Sequence, residues 1–116
     1  MNQLTRQDWI NVVHLPIGIA LILLGYYGSS RNLPLWSFKV MGLVAGIIMG
    51  YHAYRLVTKG LYANIIYLIH IFLVAPLLAV TAWYQNKVEK VVYDLFMIAG
   101  FAGVGFHTFK LIRYRI

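Results

Sequence analysis

The chain has 116 residues, of which 61% are hydrophobic and only 11% are charged. A soluble domain carries about 25% charged residues, so we expect lipid to be the solvent for much of this apolar surface. The formal net charge of +7 lies at the ends of apolar runs, which indicates lipid phosphates and membrane topology rather than nucleic acid. The lack of cysteine excludes disulfides, thiolate metal sites and iron–sulfur clusters.

Four apolar runs follow one another along the chain, at residues 9–27, 36–57, 61–84 and 91–112. Each is long enough to cross the hydrocarbon core of a bilayer, which takes about 20 helical residues. Short polar segments at 28–34, 58–60 and 85–90 separate the runs. The predicted fold class is therefore an all-α membrane protein, with four transmembrane helices in an up-down-up-down bundle.

The first two runs carry signals for a helix start and for helix packing. Thr5 and Asp8 have the spacing of a capping box, which predicts a helix start just before the first run. The second run places small residues at intervals of four, a pattern that lets a neighbouring membrane helix approach closely. We expect this stripe to face the other hairpin, a second protomer or other membrane subunits. It consists of Gly42, Gly46 and Gly50. Gly60 is a predicted helix C-cap.

The end of the second run returns at the end of the fourth. GYHAYRLV at residues 50–57 corresponds to GFHTFKLI at 105–112, with three identical positions. The first and third runs match more weakly around His14 and His70. We interpret the chain as one membrane domain made of two hairpin repeats in the same orientation, 1–60 and 61–116.

The basic residues predict the topology. One side of the predicted bundle holds six of them and the other side four, diluted by Glu89 and Asp94. The positive-inside rule then places both termini on the cytoplasmic or equivalent side of the membrane. The first group is Arg6, Arg55, Lys59, Lys110, Arg113 and Arg115, and the second is Arg31, Lys39, Lys87 and Lys90.

Every predicted helix carries one histidine, His14, His52, His70 or His107. At 1.5 Å per residue, the up-down arrangement places all four roughly 7 to 12 Å inside the same face. An ionisable residue within a span indicates a functional site that faces the bundle interior. Imidazoles bind haem iron axially or hold other metals, so the histidines are candidate ligands for b-type haem in electron transfer.

Neighbouring residues favour a flat cofactor. Gly18 lies four residues from His14, and Gly103 four residues from His107, with Gly100 one turn further along. Their missing side chains would leave room for a porphyrin. Arg55 and Lys110, each three residues past a histidine, are candidates for binding propionates or lipid phosphates. A single haem would pair His14 with His107.

Two other functions are compatible with the same residues. The histidines could serve only packing and hydrogen bonding in a non-catalytic structural or assembly protein of a larger complex or an enveloped particle. A transporter or channel would suit the repeat but lacks a polar pathway. No catalytic residues are predicted, and we do not expect an enzyme on its own.

Overall fold

The computed structural model describes residues 4–30, 32–59 and 65–113, and these are almost entirely helical. The helical structure confirms the predicted all-α class, and four helices are long and apolar enough to cross a membrane. They are α1 (Arg6–Ser30), α2 (Leu35–Lys59), α3 (Ile65–Lys87) and α4 (Lys90–Arg113). The predictions for Gly60, Arg31 and Arg115 lie outside the described residues.

The start of α1 is the predicted capping box. The Thr5 backbone N–H donates to Asp8 Oδ2 at 3.0 Å, and the Asp8 N–H donates to Thr5 Oγ1 at 3.1 Å. The two residues thus satisfy each other's backbone donors at a helix end that has no intrahelical acceptors.

The end of α1 lies further along the chain than composition predicts. Gly28, Ser29 and Ser30 are helical rather than part of a loop. Both serine hydroxyls donate to the Tyr26 carbonyl, at 2.9 and 3.2 Å. Both hydroxyls are therefore paired with a backbone oxygen of their own helix, as is common for serine near a helix end.

The third helix contains a π-helical turn from His70 to Val74, between the α-helical segments Ile65–Ile69 and Ala75–Tyr84. The Ala75 N–H donates to the His70 carbonyl, five residues back rather than four. Pro76 follows directly and has no N–H to donate, so the α-helical ladder is interrupted at this point. The helix therefore widens at its histidine, and Gln85–Lys87 closes it as a 3₁₀ turn.

The helices pack as two compact units, which we call the terminal unit (α1 and α4) and the central unit (α2 and α3). In the terminal unit the helices run in opposite directions. Gly18 faces Gly100 and Val104, whereas Gly25, further along α1, faces Tyr93 and Met97. A Cβ on Gly100 would lie 2.6 Å from the Gly18 carbonyl oxygen, so glycine is required for this approach.

The central unit is also antiparallel. At one end, Leu33 and Asn86 exchange two hydrogen bonds, of 2.9 and 3.1 Å, between backbone and side-chain amide. Further along, a Cβ on Gly42 would meet Ala82 at an ordinary 3.6 Å. The two hydrogen bonds fix the register of α2 against α3, and the glycine contact is looser than in the terminal unit.

Large apolar side chains cover the helix exteriors. Leu43, Phe72 and Trp83 are 66%, 74% and 81% exposed. Such exposure would be unfavourable in water and is compatible with a surrounding bilayer. The hairpin repeats 1–60 and 61–116, the sidedness of the termini and an oligomer formed through Gly42, Gly46 and Gly50 stay predictions.

Candidate functional site

The histidines of the terminal unit form a stacked pair. The rings of His14 on α1 and His107 on α4 have centroids 4.4 Å apart and planes inclined by 27°. His107 is 8% exposed. The sequence analysis also paired these two histidines. It placed a haem between the rings, whereas in the structure the rings are in contact.

Asn11 completes this cluster and was missed by sequence reasoning. It is fully buried, one turn before His14, and its Oδ1 accepts a hydrogen bond from His107 Nδ1 at 2.8 Å. Its Nδ2 is buried and makes no hydrogen bond among the described residues. The available signal was a second polar side chain within the first apolar run, three residues before a histidine and therefore on the same helix face.

The central unit repeats the arrangement with its own pair. The rings of His52 on α2 and His70 on α3 are 4.2 Å apart and inclined by only 7°. The Tyr67 ring lies 5.9 Å from that of His52. Tyr67 also interacts with the side chain of Arg55. His70 is the first residue of the π-helical turn, so the distortion caused by Pro76 begins at the stacked ring.

The proton on each imidazole is fixed in position by an oxygen acceptor. Nδ1 of His14, His52 and His70 lies 2.6, 2.9 and 2.7 Å from the carbonyl oxygen four residues earlier. His107 Nδ1 is held by Asn11 Oδ1. Because these oxygens only accept, Nδ1 must donate, and the lone pair of the neutral ring lies on Nε2. This is the tautomer that a metal ligand uses when its other nitrogen is held by a carbonyl.

The packing of the rings does not fit a haem held between the two members of a pair. Ligation by both members of a pair needs one imidazole on each face of the porphyrin, with a ring nitrogen pointing at the iron. Stacked rings instead present their faces to each other. At 4.4 and 4.2 Å between centroids, no macrocycle can lie between them.

The glycines near the terminal pair also differ from the predicted cradle. A Cβ on Gly18 would meet Val104 at 2.7 Å and the Gly100 carbonyl at 3.1 Å. The space left by these missing side chains is thus occupied by the facing helix. Gly103 is different, because no described atom lies within 4 Å of its Cβ position. Lys110 lies over the Phe106 ring, with Nζ 5.3 Å from the centroid.

Among residues 4–30, 32–59 and 65–113, no group of three or more histidine, cysteine or acidic side chains is arranged to hold a metal ion. Each unit therefore has its own candidate site: an imidazole pair with Asn11 beside it in the terminal unit, and an imidazole pair with Tyr67 and Arg55 beside it in the central unit. No known protein family, curated protein or solved structure matches this chain.

Proposed function

We propose that the chain is a non-catalytic structural or assembly component of a membrane, in which the histidines join helices rather than carry chemistry. The observation that supports this is the contact within each pair: His14 stacks on His107 and His52 stacks on His70. In a bilayer, apolar surface does not drive helices together, so polar contacts and close packing must specify their partners. The close packing of the stacked rings supplies such a contact in each unit, and the His107–Asn11 hydrogen bond adds a polar one in the terminal unit.

The rest of the described chain supports the same proposal. The described residues outside the helices are few, at the start of α1 and at 32–34 and 88–89. Substrate binding in water would need more surface than these segments offer. Large apolar side chains, by contrast, cover the helix exteriors. We infer that partners meet this protein within the membrane, through those helix faces.

Binding of b-type haem is the second candidate, and one observation favours it. Nδ1 of all four imidazoles lies against an oxygen acceptor, so Nε2 is the nitrogen that would bind the iron. Haem would supply one-electron redox chemistry if bound. The rings of a pair would have to separate first, and this chain's own contribution would be to orient Nε2 through the carbonyl acceptors and Asn11.

An absorption spectrum separates the two candidates. The protein is purified in detergent from cells supplied with haem, and spectra are recorded oxidised and then reduced with dithionite, with metal analysis of the same sample. The structural proposal predicts a featureless visible spectrum and no stoichiometric metal. A Soret band that sharpens on reduction, with α and β bands, would overturn it and establish haem.

Phenylalanine variants give a second readout. His52→Phe and His70→Phe keep a flat ring at the contact but remove the iron ligand. The structural proposal predicts folded protein with nearly unchanged stability, whereas a haem protein that uses these ligands would lose its colour. Loss of a Soret band in either variant, with the fold retained, would contradict the structural proposal.

A further inference from the structure

One nitrogen of a guanidinium in the central unit lacks a hydrogen-bond acceptor among the described residues. Arg55 on α2 interacts with the Tyr67 side chain, but its Nε is buried and has no hydrogen-bond partner among the described residues. An Nε–H can only donate, and a buried donor of a charged group is unfavourable to leave unpaired. The site is therefore short of one acceptor, and a charged one would bind best.

No carboxylate of the central unit can supply it. Glu89 is the only acidic residue between positions 32 and 89. The Leu33–Asn86 hydrogen bonds place that end of α3 beside the start of α2. Arg55 lies twenty residues further along α2, roughly 30 Å away at 1.5 Å per residue. Within its own unit the charge of Arg55 is uncompensated.

The position of Arg55 along the helix indicates where an acceptor would come from. Arg55 lies four residues before Lys59, the last residue of α2. That is about 6 Å from the helix end, at the level where a spanning helix leaves the hydrocarbon and meets the headgroups. A guanidinium at this depth reaches the phosphate layer of the bilayer.

We propose that Arg55 and Tyr67 form a binding site for a phosphate group at this end of the central unit. Arginine presents several donors in a planar fork that matches phosphate oxygens, and its Nε–H is one of them. A tyrosine hydroxyl that accepts a bond from the guanidinium still has its own proton to donate. The phosphate belongs either to an anionic phospholipid or to free phosphate from the aqueous side.

The terminal unit offers a matched control. By the alignment of the two hairpins, Lys110 corresponds to Arg55 and Asn11 to Tyr67. Lys110 lies over the Phe106 ring, and Asn11 is bonded to His107. The control position therefore has a similar charge at a similar place on its helix, but neither the buried Nε nor the tyrosine hydroxyl.

The test measures lipid binding to the intact protein in an uncharged detergent. Bound lipid is counted by native mass spectrometry, and the thermal midpoint is followed by tryptophan fluorescence. The probes are phosphatidylglycerol, phosphatidylcholine and inorganic phosphate. The variants are Arg55→Gln, Arg55→Lys, Tyr67→Phe and Lys110→Gln, each checked for helix content by circular dichroism.

We expect wild-type protein to prefer phosphatidylglycerol over phosphatidylcholine. Arg55→Gln should weaken phosphatidylglycerol binding by about tenfold, as expected for loss of a charge-assisted hydrogen bond. Arg55→Lys, which keeps the charge without the fork, and Tyr67→Phe should each lose part of the binding, and Lys110→Gln should bind like wild type. Stabilisation by inorganic phosphate that depends on Arg55 would support the site with free phosphate as the source, whereas an effect of phosphatidylglycerol alone would support a lipid source.

Three results would overturn the proposal. Wild-type protein could show no preference for phosphatidylglycerol and no response to inorganic phosphate. Arg55→Gln and Lys110→Gln could weaken binding equally, which would indicate only the general positive charge. Arg55→Lys could bind as tightly as wild type, which would exclude a role for Nε. The first result needs no variant, so the proposal stays testable if Arg55→Gln does not fold.

Discussion

The terminal and central units each contain a stacked imidazole pair, and they differ in the residues that lie beside the pair. In each, two antiparallel helices bring one imidazole against another, with centroids 4.4 or 4.2 Å apart. Beside the pair, the terminal unit has Asn11, which is fully buried and bonded to His107. The central unit has Tyr67 at the corresponding place, next to Arg55. Asn11 is thus bonded within its cluster, whereas Tyr67 connects the other cluster to the charged side chain of Arg55.

The contacts between the two helices of each unit also differ. Gly18 and Gly100 let the backbones of the terminal unit approach so closely that a Cβ on Gly100 would collide with the facing carbonyl. In the central unit, a Cβ on Gly42 would make only an ordinary contact with Ala82, and α3 widens into a π-helical turn at His70. The backbones of the terminal unit are therefore packed more closely at their glycines than those of the central unit.

The glycine contact gives the largest expected effect. Gly100→Ala should destabilise the protein by about 3 kcal/mol, because the new Cβ meets backbone atoms of α1 that cannot move aside. Gly46→Ala is the matched control: no described atom lies within 4 Å of its Cβ position, and alanine is the better helix former. Unfolding free energies from sodium dodecyl sulfate titration in mixed micelles compare the two. Equal effects would contradict the difference between the units.

Replacing the imidazole should separate the two pairs. His107→Phe leaves the buried Asn11 carbonyl without its donor and should cost about 2 kcal/mol. His52→Phe should cost less than about 1 kcal/mol, because the Ile48 carbonyl that His52 contacts retains its helical N–H donor. The same titration measures both variants.

The double variant sharpens this prediction. Asn11→Leu combined with His107→Phe should recover most of the lost stability, since replacing both partners of a buried hydrogen bond by apolar groups is nearly neutral. A double variant that is no more stable than His107→Phe alone would show that the loss does not arise from Asn11.

Removing a buried hydroxyl should have a small effect, and it should be favourable. Tyr93 is 4% exposed, packs against Gly25 and Gly28, and its hydroxyl makes no hydrogen bond among the described residues. Tyr93→Phe should therefore stabilise the terminal unit by about 1 kcal/mol. Tyr84→Phe, at an exposed position, serves as the control and should be neutral. A destabilised Tyr93→Phe variant would indicate that the hydroxyl has a partner in the membrane.

Features that depend on residues close together in the chain could be predicted from the sequence. The capping box at Thr5 and Asp8 depends on a spacing of three residues, and the four spans depend on length and hydropathy. The similar depth of His14 and His107 along their helices was predicted from the helical rise of about 1.5 Å per residue. The nature of their contact was not, because it depends on how closely the helix axes approach, and Gly18 could be interpreted as space for a cofactor until the facing Gly100 was known.

The π-helical turn and the role of Asn11 each depend on two residues considered together, so neither could be predicted from one residue alone. Pro76 has no N–H to donate, so the α-helical hydrogen bonds are interrupted just after His70 and a π-helical turn forms there. The role of Asn11 required knowing that His107, ninety-six positions later, would be its neighbour. An internal polar residue near a membrane histidine is the signal that would have directed attention to it.

Solid-state nuclear magnetic resonance of histidine-labelled protein in lipid bilayers tests the central claim most directly. Selective ¹⁵N and ¹³C labelling reports which ring nitrogen carries the proton and which rings lie in contact, and single His→Phe variants assign the signals. We predict a proton on Nδ1 of all four imidazoles, with ring contacts from His14 to His107 and from His52 to His70. Protonation on Nε2, or the absence of both ring contacts, would contradict the account of the histidines as paired helix contacts.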